Sequence, residues 1–120
     1  MSAKELVSEY YSSEAYKSKE LMRHYLHDDL VIQWHSSKGY LQLDKNDLLT
    51  LAEELVKSYS SSSLDITHII SEDNIVTVRY THYVYPIETP NEQMPLAHFV
   101  VIWEVLDNKF YKGYLMSQVG

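Results

Sequence analysis

The stretch Leu64-Asp65-Ile66-Thr67-His68-Ile69-Ile70-Ser71-Glu72-Asp73-Asn74-Ile75-Val76-Thr77-Val78-Arg79-Tyr80-Thr81-His82-Tyr83-Val84-Tyr85-Pro86 is where the chain stops reading as helix. Leu64, Ile66, His68 and Ile70 alternate with Asp65, Thr67 and Ile69, a period of two that fits a strand. Glu72-Asp73-Asn74 supplies a turn, and a long second strand, Ile75 to Pro86, follows. In that strand Val76, Val78, Tyr80, His82 and Val84 face one way, and Thr77, Arg79, Thr81, Tyr83 and Tyr85 face the other. Both faces carry large side chains, so both are expected to be covered.

Downstream the same period continues. Pro86 to Pro95 holds all three prolines and reads as a surface loop; Leu96 to Leu106 is a third strand, Asp107-Asn108 a tight turn, and Phe110 to Val119 the returning strand. Upstream the period is helical. Ser2 caps a first helix with Glu5 three residues on, and Leu6, Val7, Tyr10 and Tyr11 form its stripe. Ser13 is read as the cap of a second helix running to Asp28-Asp29, with Tyr16, Leu21, Met22, Tyr25 and Leu26 on one side. A strand from Leu30 to Trp34, a turn through Ser36-Ser37-Lys38-Gly39 and a short strand Tyr40 to Leu43 lead to a third helix. Asp44 caps it, and Leu48, Leu49, Leu51, Ala52, Leu55 and Val56 make its apolar face until the serines at 60–63 end it. The order predicts an α+β protein, three N-terminal helices packed on a strongly bent, mainly antiparallel sheet, with residues 1–120 forming one domain.

Composition excludes more than it selects. Ten Lys and Arg stand against seventeen Asp and Glu, a formal charge of −7 that repels phosphate backbones and anionic lipid. Neither nucleic acid nor membrane is expected as a partner. No apolar run reaches the roughly 18 residues of a membrane helix, and the opening Met1-Ser2-Ala3-Lys4-Glu5 lacks the apolar stretch of a signal peptide, so the expected location is cytoplasmic. With no cysteine, disulfides, thiolate nucleophiles, iron-sulfur clusters and Cys-based zinc sites are ruled out. GxGxxG, P-loop and GxSxG patterns are absent, and Gly39, Gly113 and Gly120 do not form a phosphate-cradling run.

Glu9-Tyr10-Tyr11, Asp28-Asp29-Leu30-Val31 leading into Trp34-His35, Gly39 before the third helix, and His98-Phe99-Val100-Val101-Ile102-Trp103 followed by Asn108-Lys109-Phe110 occur in an order that resembles the nuclear transport factor 2-like superfamily. Within it, the chain resembles SnoaL-like and ketosteroid isomerase-like small proteins, over nearly the whole of its length. The resemblance implies a cystatin-like cone with a cavity between helices and sheet, often paired into a homodimer through the sheet's outer face. In the isomerases it implies a carboxylate base at the end of the first strand, helped by a Tyr and a protonated Asp. Here that place reads Trp34-His35-Ser36-Ser37, with no carboxylate.

His35 is therefore the candidate catalytic base, since a neutral imidazole titrates near pH 6.5. Tyr11, Trp34, His82 and His98 are the candidate ligand-pocket residues. A polar pair would favour an isomerase- or cyclase-type enzyme working by proton transfer, an open apolar pocket a binding module for a small hydrophobic or aromatic molecule, and a closed core a structural or assembly domain. The eleven tyrosines suit core packing as well as a pocket. His68, His82 and His98 could meet across strands as zinc ligands, but the six histidines show no HxH, HExxH or His-x-x-x-His spacing, so neither a metal nor another cofactor is assigned.

Overall fold

The computed structural model describes residues 1–120. Helix α1 (Ala3–Ser12) is held at its start by the full Ser2/Glu5 capping box, Glu5 N donating to Ser2 Oγ and Ser2 N to Glu5 Oε1, both at 3.1 Å. It buries Leu6, Val7, Tyr10 and Tyr11.

The second helix differs from the reading above. Glu14 adopts a left-handed conformation (φ 59°), which no helix can continue through, and a single 3₁₀ turn, Ala15–Lys17, intervenes. Helix α2 is only Lys19–Tyr25, capped by Ser18, not Ser13, with Leu21 N donating to Ser18 Oγ at 3.2 Å. Asp28 and Asp29 consequently lie inside strand β1 (Leu26–Ser36), which starts four residues earlier than the sequence predicts. A hairpin brings β2 (Gly39–Asp44) back, with Gly39 at φ 120° in a conformation that side chains resist. Helix α3 (Lys45–Ser58) carries a second capping box, Asp44/Asp47. It buries Leu49 and Ala52, whereas Leu51 and Val56, expected on its apolar face, are exposed.

Strands β3 (Ser61–Glu72), β4 (Ile75–Tyr85), β5 (Met94–Leu106) and β6 (Lys109–Val119) complete one sheet in the order β2-β1-β6-β5-β4-β3. Every pair is antiparallel except β1 with β6, which run parallel. The ladder slips at four places: in β1 between Leu26 and Val31, in β3 between Ile66 and His68, in the β4–β5 pair after His82, where Leu96 of β5 is the extra residue, and in the β5–β6 pair between Glu104 and Val105. Such bulges bend and twist strands, and here they curl the sheet into a cone around the helices. They also shift parity. Past the bulge at Thr67, Ile69 opposes inward-facing Val78, while His68 and Ile70 turn outward, so His68 is not on the face of Leu64 and Ile66.

On β4 the alternation holds as the sequence predicts, with Val76, Val78 and Val84 buried among the inward residues. The core gathers there: Phe110 and Trp103 lie 4.6 Å apart between ring centroids, and Tyr10 packs 4.9 Å from Phe110. Burying each such aromatic removes about 150–250 Å² from water, the dominant stabilisation of the cone. No helix is long and apolar enough to cross a membrane.

Candidate functional site

The bent sheet and the helices do not close on each other completely. Between them lies a cavity of about 350 Å³ with 22 lining residues, 19 of them hydrophobic with the tyrosines included; the other three are Glu54, Ser58 and His82. Helix α3 roofs it. The exposed side chains of Leu51, Glu54 and Ser58 place the mouth beside that helix, and Glu54 is the one charged residue at the lining.

Both indole N–H groups of the walls are engaged. Trp103 Nε1 donates to the buried Tyr11 hydroxyl at 3.0 Å, joining β5 to α1, and Trp34 Nε1 donates to Ser117 Oγ at 2.8 Å, joining β1 to β6. Tyr80 lies 5.7 Å from Tyr11 and stacks on Phe99 at 5.1 Å. Burial pushes the phenols of Tyr10, Tyr11 and Tyr80 well above their ordinary range, and Tyr16 up to about 12, because an ionised oxygen there would lose its hydration.

His82 is different. Its Nε2 is enclosed and has no hydrogen-bond partner. Its ring meets Tyr16 edge-on at 5.8 Å and Phe99 at 6.4 Å. Desolvation, with a smaller contribution from the charge of Lys17, lowers its pKa to about 4. At neutral pH the imidazole is uncharged.

Of the five residues singled out from sequence, Tyr11, Trp34 and His82 line this cavity. His35 and His98 do not. His35 follows Trp34 on the same strand, so strand alternation turns it to the opposite, outer side, where its exposed ring packs 4.7 Å from Tyr40 across the β1–β2 hairpin. His98 is paired in register with Thr81 on the outer face and shares a 2.8 Å hydrogen bond with its hydroxyl. His68 hydrogen-bonds Thr67 on the outside as well, so His68, His82 and His98 are not brought together. Nowhere do three His, Asp or Glu side chains converge in a way that could hold a metal ion.

The walls also contain residues that the sequence pointed to less directly. Tyr10 and Tyr16 read as core from their helical stripes, Trp103 as cavity wall or filler, and Tyr80 as dimer interface or pocket; all four line the cavity. For Tyr80 the signal was present in its parity with His82 on β4. Leu48, Leu55 and Tyr59 enter because α3 stands off the sheet, a long-range packing outcome with no local signature.

No protein-family model matches the sequence, and no curated protein matches it. Comparison with solved structures gives a different result. IdmH of Streptomyces antibioticus, described as a candidate polyketide cyclase, superposes with a TM-score of 0.76 over 98% of this chain and 92% of its own, at 15% identity. An LEH-like epoxide hydrolase from M. tuberculosis gives 0.72 over 96% and 81%, also at 15% identity. The chain has the nuclear transport factor 2-like fold. A nuclear transport factor 2-like protein of unknown function from Burkholderia pseudomallei matches at 0.69 over 96% and 90% with 14% identity, and structures described as SnoaL-like and ketosteroid isomerase-like share the architecture. At these identities what is common is the α+β cone.

Proposed function

We propose that this chain, as one domain spanning residues 1–120, binds a small hydrophobic or aromatic molecule inside the nuclear transport factor 2-like cone. The observation that carries this reading is the cavity itself: about 350 Å³, almost wholly apolar, and open beside α3 rather than filled by side chains. A domain serving only as scaffold gains by closing such a space, since each unfilled volume forfeits packing contacts. Aromatic walls from Trp34, Tyr80 and Phe99 suit a flat guest.

Proton-transfer catalysis of the isomerase or cyclase kind has less support. Its polar pair would be His82 and Tyr16, the imidazole and phenol that meet at the wall. Burial moves them apart, His82 down to about 4 and Tyr16 up to about 12. A base and an acid both far from pH 7 transfer protons inefficiently.

The working unit of this proposal is a cytoplasmic homodimer joined through the outer sheet face. Val100, Ile102 and Met116 are exposed there, and Val100 pairs in register with Met116. A second copy related by a two-fold axis would cover them.

Titration of ¹⁵N-labelled protein with naphthalene tests the reading. Amide shifts should move at cavity-lining positions, and Trp34→Ala should weaken binding severalfold with a modest fall in melting temperature. A panel of small aromatics that leaves every resonance unmoved, together with unfolding of the Trp34 variant, would return the case to a structural role.

A further inference from the structure

We propose that the cavity selects uncharged aromatic molecules bearing a hydroxyl group, and that the guest's hydroxyl hydrogen-bonds to the imidazole of His82. This rests on the reading of the cavity as a binding site and goes further by naming what distinguishes one guest from another.

Among the enclosed side-chain nitrogen and oxygen atoms, His82 Nε2 is the one left without a hydrogen-bond partner. The Trp103 indole N–H is taken by Tyr11 and the Trp34 indole N–H by Ser117, each within 3.0 Å. An enclosed polar atom without a partner costs free energy that a guest can recover. Rotation of the ring about its Cβ–Cγ bond would aim a nitrogen at the cavity, and that nitrogen gives up no existing bond in turning. A hydroxyl suits the imidazole in either tautomer, because it both donates and accepts; a carbonyl satisfies only an N–H.

Charge is excluded by the same wall. A carboxylate guest would find no cation at the lining and would approach past Glu54, on a chain whose net charge is −7. An ammonium guest would have Glu54 only at the exposed rim, leaving its charge desolvated deeper in. Beyond Glu54 at the rim the polar groups of the lining are uncharged, tyrosine and serine hydroxyls with the imidazole of His82, so a neutral hydroxyl meets no desolvated charge there.

Three probes of one skeleton separate the terms: naphthalene, 2-naphthol and 2-naphthoate, titrated at pH 7 into wild type and His82→Phe. In wild type 2-naphthol should bind about tenfold tighter than naphthalene, the scale of one net hydrogen bond, and 2-naphthoate should not bind. In His82→Phe the preference should fall to about one while naphthalene still binds. If that variant does not fold, ¹⁵N-histidine spectra of wild type carry the test: the His82 ring nitrogens should shift with 2-naphthol and not with naphthalene. Equal binding of naphthalene and 2-naphthol, an undiminished preference in the variant, unmoved ring nitrogens, or tight binding of 2-naphthoate overturns this inference and leaves the cavity reading intact. Failure of all three probes to bind removes both.

Discussion

Gly113 has no side chain because two other residues occupy the place. A Cβ there would lie 2.8 Å from Cζ3 of Trp103, 3.1 Å from its Cε3 and 3.2 Å from Cγ1 of Ile32. The indole cannot retreat freely, since its Nε1 is bonded to Tyr11. Gly113→Ala should therefore destabilise by about 1–3 kcal/mol, as overpacking does, and should alter the near-ultraviolet dichroism of Trp103 in the folded state. His82 makes a second prediction at this scale. Its pKa is about 4 when folded against an ordinary 6.5, so between those values the unfolded chain binds a proton that the native one does not, and stability rises with pH. The contribution is complete above about pH 6.5 and is lost as pH falls toward 4, on the order of 3 kcal/mol. The carboxylates with lowered pKa values, Glu5, Asp28 and Glu53, start from 4.5 or below and act at lower pH. Denaturation followed between pH 4 and 7 should give a slope that His82→Phe flattens.

The two capping boxes are the clearest instances of sequence becoming element. Asp44 Oδ1 accepts from Asp47 N and Asp47 Oδ2 accepts from Asp44 N, both at 2.9 Å, so Asp44→Ala should cost about 1 kcal/mol in urea melts with the fold unchanged. Legibility followed locality. Caps, the inward face of β4 and the Asp107-Asn108 turn, whose residues sit at φ 54° and 58°, are written in neighbouring residues and were readable there. The second helix was not, because Ser13 and Ser18 are equally good caps and only the left-handed Glu14 between them decides. Bulges were invisible for a related reason: the extra residue at Thr67 changes which side His68 takes, yet the run around it alternates without a break in composition. The site was partly legible. Trp34, Tyr11 and His82 could be assigned to the cone's interior, whereas His35 and His98 were set beside them by sequence proximity and motif position, against the strand parity that sends them outward.

At the scale of the molecule the sheet has two faces with unequal cover. Helices pack the inner one, while the outer one leaves Met116 65% exposed beside Val100 and Ile102 at about 40%. An apolar strip of this kind across adjacent strands is what an isologous contact would use. Light scattering at micromolar concentration should give twice the 14.1 kDa chain mass, and the double variant Val100→Glu, Met116→Glu should give the single mass with its fold retained. A native mass of 14.1 kDa, unchanged on dilution, would count against the dimer.

The parallel pairing of β1 with β6 sets a clock on the molecule. Trp34 and Ser117, bonded in the finished cone, are 83 residues apart in the chain, and β1 has the β2 hairpin on one side but an open ladder on the other until β6 exists. A ribosome that has released the helices and the first hairpin has made 11 of the 19 buried apolar residues and none of the closure. Contacts of such long sequence separation fold slowly, and the waiting chain exposes a strand edge to its neighbours. The order of synthesis thus makes the nascent protein, rather than the native one, the form most in need of a chaperone.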